Sequence, residues 1–135
     1  MSAEEMYQQE ILDHYKHPRN FGTLEHPDIV FRDTNPSCGD VIEMHVQVDT
    51  NKKIQDIKFS GKGCAISQAS ASMLTEFLEG KNLQVVQHLT KKEMLGLLQV
   101  DISPMRLKCA LLALKVVKYG TYAYWGKQEG RDDGD

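Results

Sequence analysis

Residues 41–48 read VIEMHVQV, and this alternation constrains the chain more than any other stretch. Ile42, Met44, Val46 and Val48 fall on one side, with Glu43, His45 and Gln47 on the other, which is the period of a half-buried strand. "DTNKK" turns the chain, and residues 54–60 supply a partner strand with Ile57 and Phe59 on one face. Antiparallel pairing about a turn near Asn51 joins residues whose numbers total about 102. Cys38 and Cys64 meet that relation. The hairpin therefore predicts that two cysteines far apart in sequence face each other at one end of a sheet.

The flanking segments read as helices. Residues 3–16 place Met6, Tyr7, Ile11 and Tyr15 near one broad face and stop at "HPRNFG", where Pro18 and Gly22 oppose continuation. "DIVF" at 28–31 is a short strand, followed by "NPSCGD", a loop by its turn residues. From Ala65 the period becomes helical through Ile66, Ala69, Met73 and Phe77, ending near Gly80. Short helical pieces fill 82–100. A last helix begins at Ser103 and Pro104, an N-cap followed by proline at the first position, and Gly120 weakens its far end. The order predicts an α+β domain, a small antiparallel three-stranded sheet with helices packed on one face. Residues 1–126 form that domain and 127–135 a polar, frayed tail.

The three cysteines then have to be judged by their neighbours. Gly39, without a Cβ, lets Cys38 and Asp40 turn toward one point, and Gly61 and Gly63 stand beside Cys64 in the same way. Cys64 opens a helix, where the partial positive charge favours thiolate over thiol, and Lys62 adds a further positive charge. Cys109, near Arg106 and Lys108, reaches the others only if the tertiary fold brings it there. Taken singly, each has a bland reading: Cys109 as a core residue, Asp40 as a turn residue, Cys64 as a helix start. Together they offer three thiolates and one carboxylate, a soft set suited to an iron–sulfur centre or zinc. No spacing argument recruits a histidine. His45 lies on the polar strand face and is expected to be solvated, His14 and His17 to bond locally near the helix end, and His88 to sit far from any thiol.

Composition narrows the class. The 135 residues suit one domain, and a net charge of −3 lacks the basic excess of a nucleic-acid binder. No apolar run is long enough to cross a membrane, the longest being "CALLALKVV" at 109–117. The acidic N-terminus has no secretory pattern, so a reducing cytoplasm is the expected compartment and disulfides are not expected. Phosphate-loop and dinucleotide fingerprints are absent, as are paired C-x-x-C knuckles.

These residues resemble the iron–sulfur cluster assembly scaffolds of the IscU and NifU N-terminal family. "EILDHYKHPRNFG", "NPSCGD", "GKGCAISQASASML" and "MRLKCALLA" carry the resemblance, which spans about residues 5–125. It implies that Cys38, Asp40, Cys64 and Cys109 hold iron and build a [2Fe–2S] cluster. It further implies that a cysteine desulfurase delivers sulfur as a persulfide, to Cys109 first or to Cys64, before transfer to apo-acceptor proteins. Such a protein is a scaffold rather than an enzyme. A second protomer or the desulfurase would shield an exposed cluster, so a homodimer is compatible with the reading. The carboxylate answers a chemical need: four soft ligands suit storage, whereas one harder, weaker ligand suits release.

The chain departs from the family pattern in three places. Lys108 stands where many members have histidine, as in SufU-like proteins, yet the insertion usual in those proteins between the second and third cysteines is absent. "DISPMRLKC" matches the proline- and lysine-containing chaperone segment poorly, which argues against an Hsp70-type partner. The alternative is a SufU-like, zinc-dependent sulfur acceptor, which would use the same four residues without building a cluster.

Overall fold

The computed structural model describes residues 2–132 and has the element order expected of an α+β domain. Helix α1 spans Ala3–Lys16, strands β1, β2 and β3 span Ile29–Asn35, Asp40–Val48 and Ile54–Lys62, and helix α2 spans Ala65–Leu78. Short helices α3 (Gln84–His88) and α4 (Lys91–Leu98) follow, then a 3-10 turn at Pro104–Arg106 and the long helix α5, Leu107–Asp132. The sheet is antiparallel in the order β1-β2-β3. Helix α5 thus passes the expected boundary at 126, and residues 133–135 of the expected tail lie outside the described residues.

Two details of the hairpins differ from expectation, and both matter for the cysteines. Strand β1 does not stop at Phe31 but continues through Arg32–Asn35, and Asn35 pairs with Asp40 as the last rung before the turn. Only Pro36–Gly39 is loop. The polar run "RDTN" hides this extension, because an edge strand needs few apolar residues when its partner supplies the ladder. The second difference is a register shift between Gln47 and Val48: Val48 faces Ile54 but Val46 faces Ile57. The irregularity moves the pairing by one residue, so Val41 faces Lys62 and β3 continues past Ser60.

The core lies between the sheet and the helices. Ile42, Met44, Val46, Ile57 and Phe59 meet Leu74 and Leu78 of α2 and Leu112, Ala113, Val116 and Val117 of α5. Full burial of Phe59 alone is worth about 1.5–3 kcal/mol. Gly120 does not interrupt α5. It marks close approach, since a Cβ there would stand 2.9 Å from Ile29 and 3.0 Å from Phe31. A second cluster, built on Ile11, Ala69, Met73, Leu98 and Ala110, joins α1, α2, α4 and α5. Helix α1 packs through Ile11 and His14, while Met6 and Tyr15, expected on its buried face, are exposed.

His14 makes a long-range bond, not the local one expected. Its Nδ1 lies 2.7 Å from Ser72 Oγ on α2, and the same oxygen accepts the Arg19 backbone N–H at 2.8 Å. Burial, then the Arg19 charge, lowers the His14 pKa, with Glu76 opposing. A histidine depressed in the folded state stabilises the fold above its unfolded pKa near 6.5, and that contribution is lost as pH falls through the folded value. Thermal unfolding should therefore show a steeper loss of Tm between pH 7 and pH 5 in the wild type than in His14→Gln. Parallel pH curves would refute the assignment.

His45 is likewise buried and not solvated. Its Nδ1 accepts the Leu24 N–H at 3.2 Å, which leaves Nε2 to donate to Glu43 at 2.8 Å. The pair ties the 17–28 segment across the sheet.

Candidate metal centre

The two hairpin ends and the start of α5 converge on one point. The ligand atoms of Cys38, Asp40 and Cys109 all lie within 4.8 Å of one another. Cys38 is exposed on the Pro36–Gly39 turn, Asp40 is the first residue of β2 and fully buried, and Cys109 is fully buried in the first turns of α5. Cys109 Sγ donates to Cys38 Sγ at 3.3 Å. Cys64, half-buried at the N-cap of α2, stands outside this trio by its sulfur but joins it by its backbone, whose N–H donates to Asp40 Oδ1 at 2.9 Å.

Four local events produce this arrangement. The Asn35–Asp40 rung fixes the carboxylate at the end of the β1–β2 hairpin. The shifted β2–β3 register brings Gly63 against it, where a Cβ would collide with the Asp40 carboxylate and the Ser67 hydroxyl. Helix α2 begins one residue after Cys64, and the N–H of this N-cap residue meets the same carboxylate. The turn at Pro104–Arg106 then lays Cys109 over the site. The last step is invisible to spacing arguments, because it depends on how α5 crosses the sheet.

The protonation pattern follows from these contacts. Burial by itself raises the Asp40 pKa, but donors from the Cys64 backbone and from Cys109, Ser67 and Asn35 outweigh it and hold the carboxyl below its ordinary value. Burial pushes the Cys109 thiol far up, and Asp40, Cys38 and Cys64 push it further. The metal-free site thus holds a carboxylate and a protonated Cys109, and soft-metal binding there displaces that proton. The Arg106 guanidinium lies beside the Cys109 sulfur, and the Cys109 and Cys64 sulfurs raise its pKa. Asn35, Ser67 and Arg106 were not singled out by the sequence as part of the site. The hairpin rung would have indicated Asn35, had the extension of β1 been legible. The two sulfurs and one carboxylate oxygen that converge are donor types suited both to tetrahedral zinc and to an iron–sulfur cluster as cargo.

The family profile described as the NifU-like N-terminal domain matches residues 6–131. The chain belongs to the NifU-like N-terminal family. It is 36% identical to the zinc-dependent sulfurtransferase SufU of Bacillus subtilis, over 96% of this chain and 95% of that protein. It is 32% identical to the iron–sulfur cluster assembly scaffold protein IscU of Haemophilus influenzae, over 90% of this chain and 98% of that one. The fold is similar to a crystal structure from Fervidobacterium islandicum assigned as an iron–sulfur cluster assembly scaffold for the SUF system, with a TM-score of 0.73, 29% identity and coverage of 89% and 99%. The expected family and fold class are borne out. Among the described residues, no helix is long and apolar enough to cross a membrane.

Proposed function

We propose that this NifU-like domain is a scaffold on which a [2Fe–2S] cluster is assembled and from which it is passed on, with Cys38, Asp40, Cys64 and Cys109 as the assembly site. The convergence of Cys38, Asp40 and Cys109 within 4.8 Å, with Cys64 tied to the same carboxylate, carries this reading. All four proposed ligands fall within residues 1–126, the proposed scaffold domain, with 127–135 as its proposed tail. The likeness to bacterial scaffolds suits a cytoplasmic protein.

Sulfur comes from the persulfide of a cysteine desulfurase. A thiolate of this chain attacks the outer sulfur, the desulfurase thiolate leaves, and the sulfane sulfur is transferred without net oxidation. An external reductant then supplies two electrons for each sulfur reduced to sulfide. Cys109 is the first acceptor proposed and Cys64 the second. Because Cys109 is fully buried beside Cys38, sulfur receipt there needs the thiol to become accessible and to lose its proton.

The likeness to a zinc-dependent sulfurtransferase favours one second reading, in which zinc occupies the site and the chain only relays sulfur. Lys108 fits it. The missing insertion does not, and the alignment of 146 positions onto 135 residues requires gaps in this chain. Anaerobic reconstitution with a desulfurase, cysteine and ferrous iron separates the two. Iron and sulfide bound in equal amounts, with visible charge-transfer bands, supports the scaffold. Zinc retained with no sulfide bound supports the relay.

A further inference from the structure

Asp40 is held unequally by its two oxygens. Oδ1 accepts the Cys64 N–H at 2.9 Å and lies 3.2 Å from Ser67 Oγ, whose single hydrogen it shares with the Cys64 carbonyl at 3.1 Å. Oδ2 accepts the Asn35 side-chain amide, at a long 3.4 Å. The same Asn35 nitrogen reaches Cys109 Sγ at 3.6 Å. Asn35 therefore spans the carboxylate and the buried thiol from one amide, which has two hydrogens to give.

We infer that Asn35 and Ser67 are opposed positioning residues for the Asp40 ligand: Ser67 anchors Oδ1 so that Oδ2 faces the metal, and Asn35 competes with the metal for Oδ2. The inference rests on the reading of this cluster as a metal centre. The Asn35 bond to Oδ2 is longer than either contact at Oδ1, so Oδ2 is the oxygen more readily surrendered, while Oδ1 stays fixed to the start of α2. An acceptor shared between a metal and an amide donor is weakened as a ligand, because binding the metal forfeits the hydrogen bond. Removing the Asn35 amide relieves that competition. Removing the Ser67 hydroxyl lets the carboxylate rotate away.

The two substitutions should therefore act in opposite directions, which a merely structural role for either residue would not produce. Asn35→Ala keeps the backbone carbonyl that accepts the Cys38 N–H, so the turn survives. Cobalt(II) is the probe, titrated anaerobically into the purified full chain against a competing chelator, with sulfur-to-cobalt charge-transfer bands and d–d bands recorded. Loss of one hydrogen bond of this strength corresponds to a roughly three- to tenfold change in affinity. Asn35→Ala should bind cobalt tighter by that factor and Ser67→Ala weaker by a similar one, with Ser67→Thr restoring the wild-type value. In an Asp40→Ala background the Asn35→Ala effect should vanish. Wild-type cobalt binding with both variants shifted the same way, or neither shifted, overturns the positioning roles while leaving the metal centre intact. No thiolate charge-transfer bands in the wild type would overturn the metal centre, and with it this inference.

Discussion

Asp40→Ala should lose a reconstituted cluster more slowly than the wild type, by roughly tenfold, the equivalent of about 1.4 kcal/mol on the barrier to release. The carboxylate is the only hard donor among the four proposed ligands, and its Oδ2 already accepts from the Asn35 amide. Release is a ligand-exchange step, and exchange begins at the weakest bond to iron. Removing that bond closes the route. The same substitution should make the fold less stable, because the Cys64 N–H, Ser67 Oγ and Asn35 Nδ2 donors lose their acceptor. Each buried donor left unpaired costs about 1–3 kcal/mol, less where water enters. The expected signature is a lower Tm together with a longer-lived cluster, read by the decay of visible absorbance under matched anaerobic conditions. A variant that is less stable and also faster to lose its cluster would show that Asp40 retains the cluster and does not release it.

Gly63→Ala should be the more damaging of two glycine substitutions at the site. A methyl group at 63 collides with the Asp40 carboxylate and the Ser67 hydroxyl, so the carboxylate must leave its anchor or α2 must start elsewhere. Displacing a group that orients a ligand typically costs 10- to 100-fold in metal affinity, so a loss of roughly that size is expected for zinc. Gly39→Ala is the control. Its φ of +71° is a left-handed value, but nothing lies within 4 Å of the added carbon. The cost there is the backbone term alone, roughly 1–2 kcal/mol of stability, with the ligand geometry kept. Zinc competition with a chromophoric chelator distinguishes the two. Equal losses of affinity would mean that loop strain, and not the packing of Asp40 against Gly63 and Ser67, governs the site.

The sequence carried the sheet further than it carried the site. Alternation in β2 and the Ile57–Phe59 face of β3 are direct consequences of burying one side of a sheet, and both strands lie where the pattern places them. The start of α2 at Ala65 was also legible, because the period changes there from two to nearly four. The register was not. A single shift at Gln47/Val48 moves the pairing by one residue, and nothing in the local residue types announces it. That shift sets Gly63 and the Cys64 N–H against Asp40, where a regular ladder would have set Cys64 across from Cys38.

Polar residues buried for a purpose were the hardest to see. Asn35 reads as a loop residue and His45 as part of a polar strand face, so their patterns predict exposure, and the small Ser67 reads only as a site of close helix packing. Their burial depends on partners far along the chain: Cys109 for Asn35, Asp40 for Ser67, and the Leu24 backbone for His45. The same holds for His14, whose partner Ser72 lies 58 positions away. Cys109 is the extreme case. Its apolar helix reads as core, and the residue is indeed fully buried, yet the sulfur it buries lies 3.3 Å from that of Cys38.

Transfer of the assembled cluster to an apo-ferredoxin tests the account most directly. Reconstituted protein, freed of excess iron and sulfide, is mixed anaerobically with the acceptor in the presence of a chelator that captures loose iron. The account predicts that ferredoxin acquires its cluster spectrum at the rate the scaffold loses its own, with no iron passing to the chelator, and that Asp40→Ala slows both together. A protein that holds zinc, forms no cluster with desulfurase and iron, and hands only persulfide sulfur to an acceptor would contradict it.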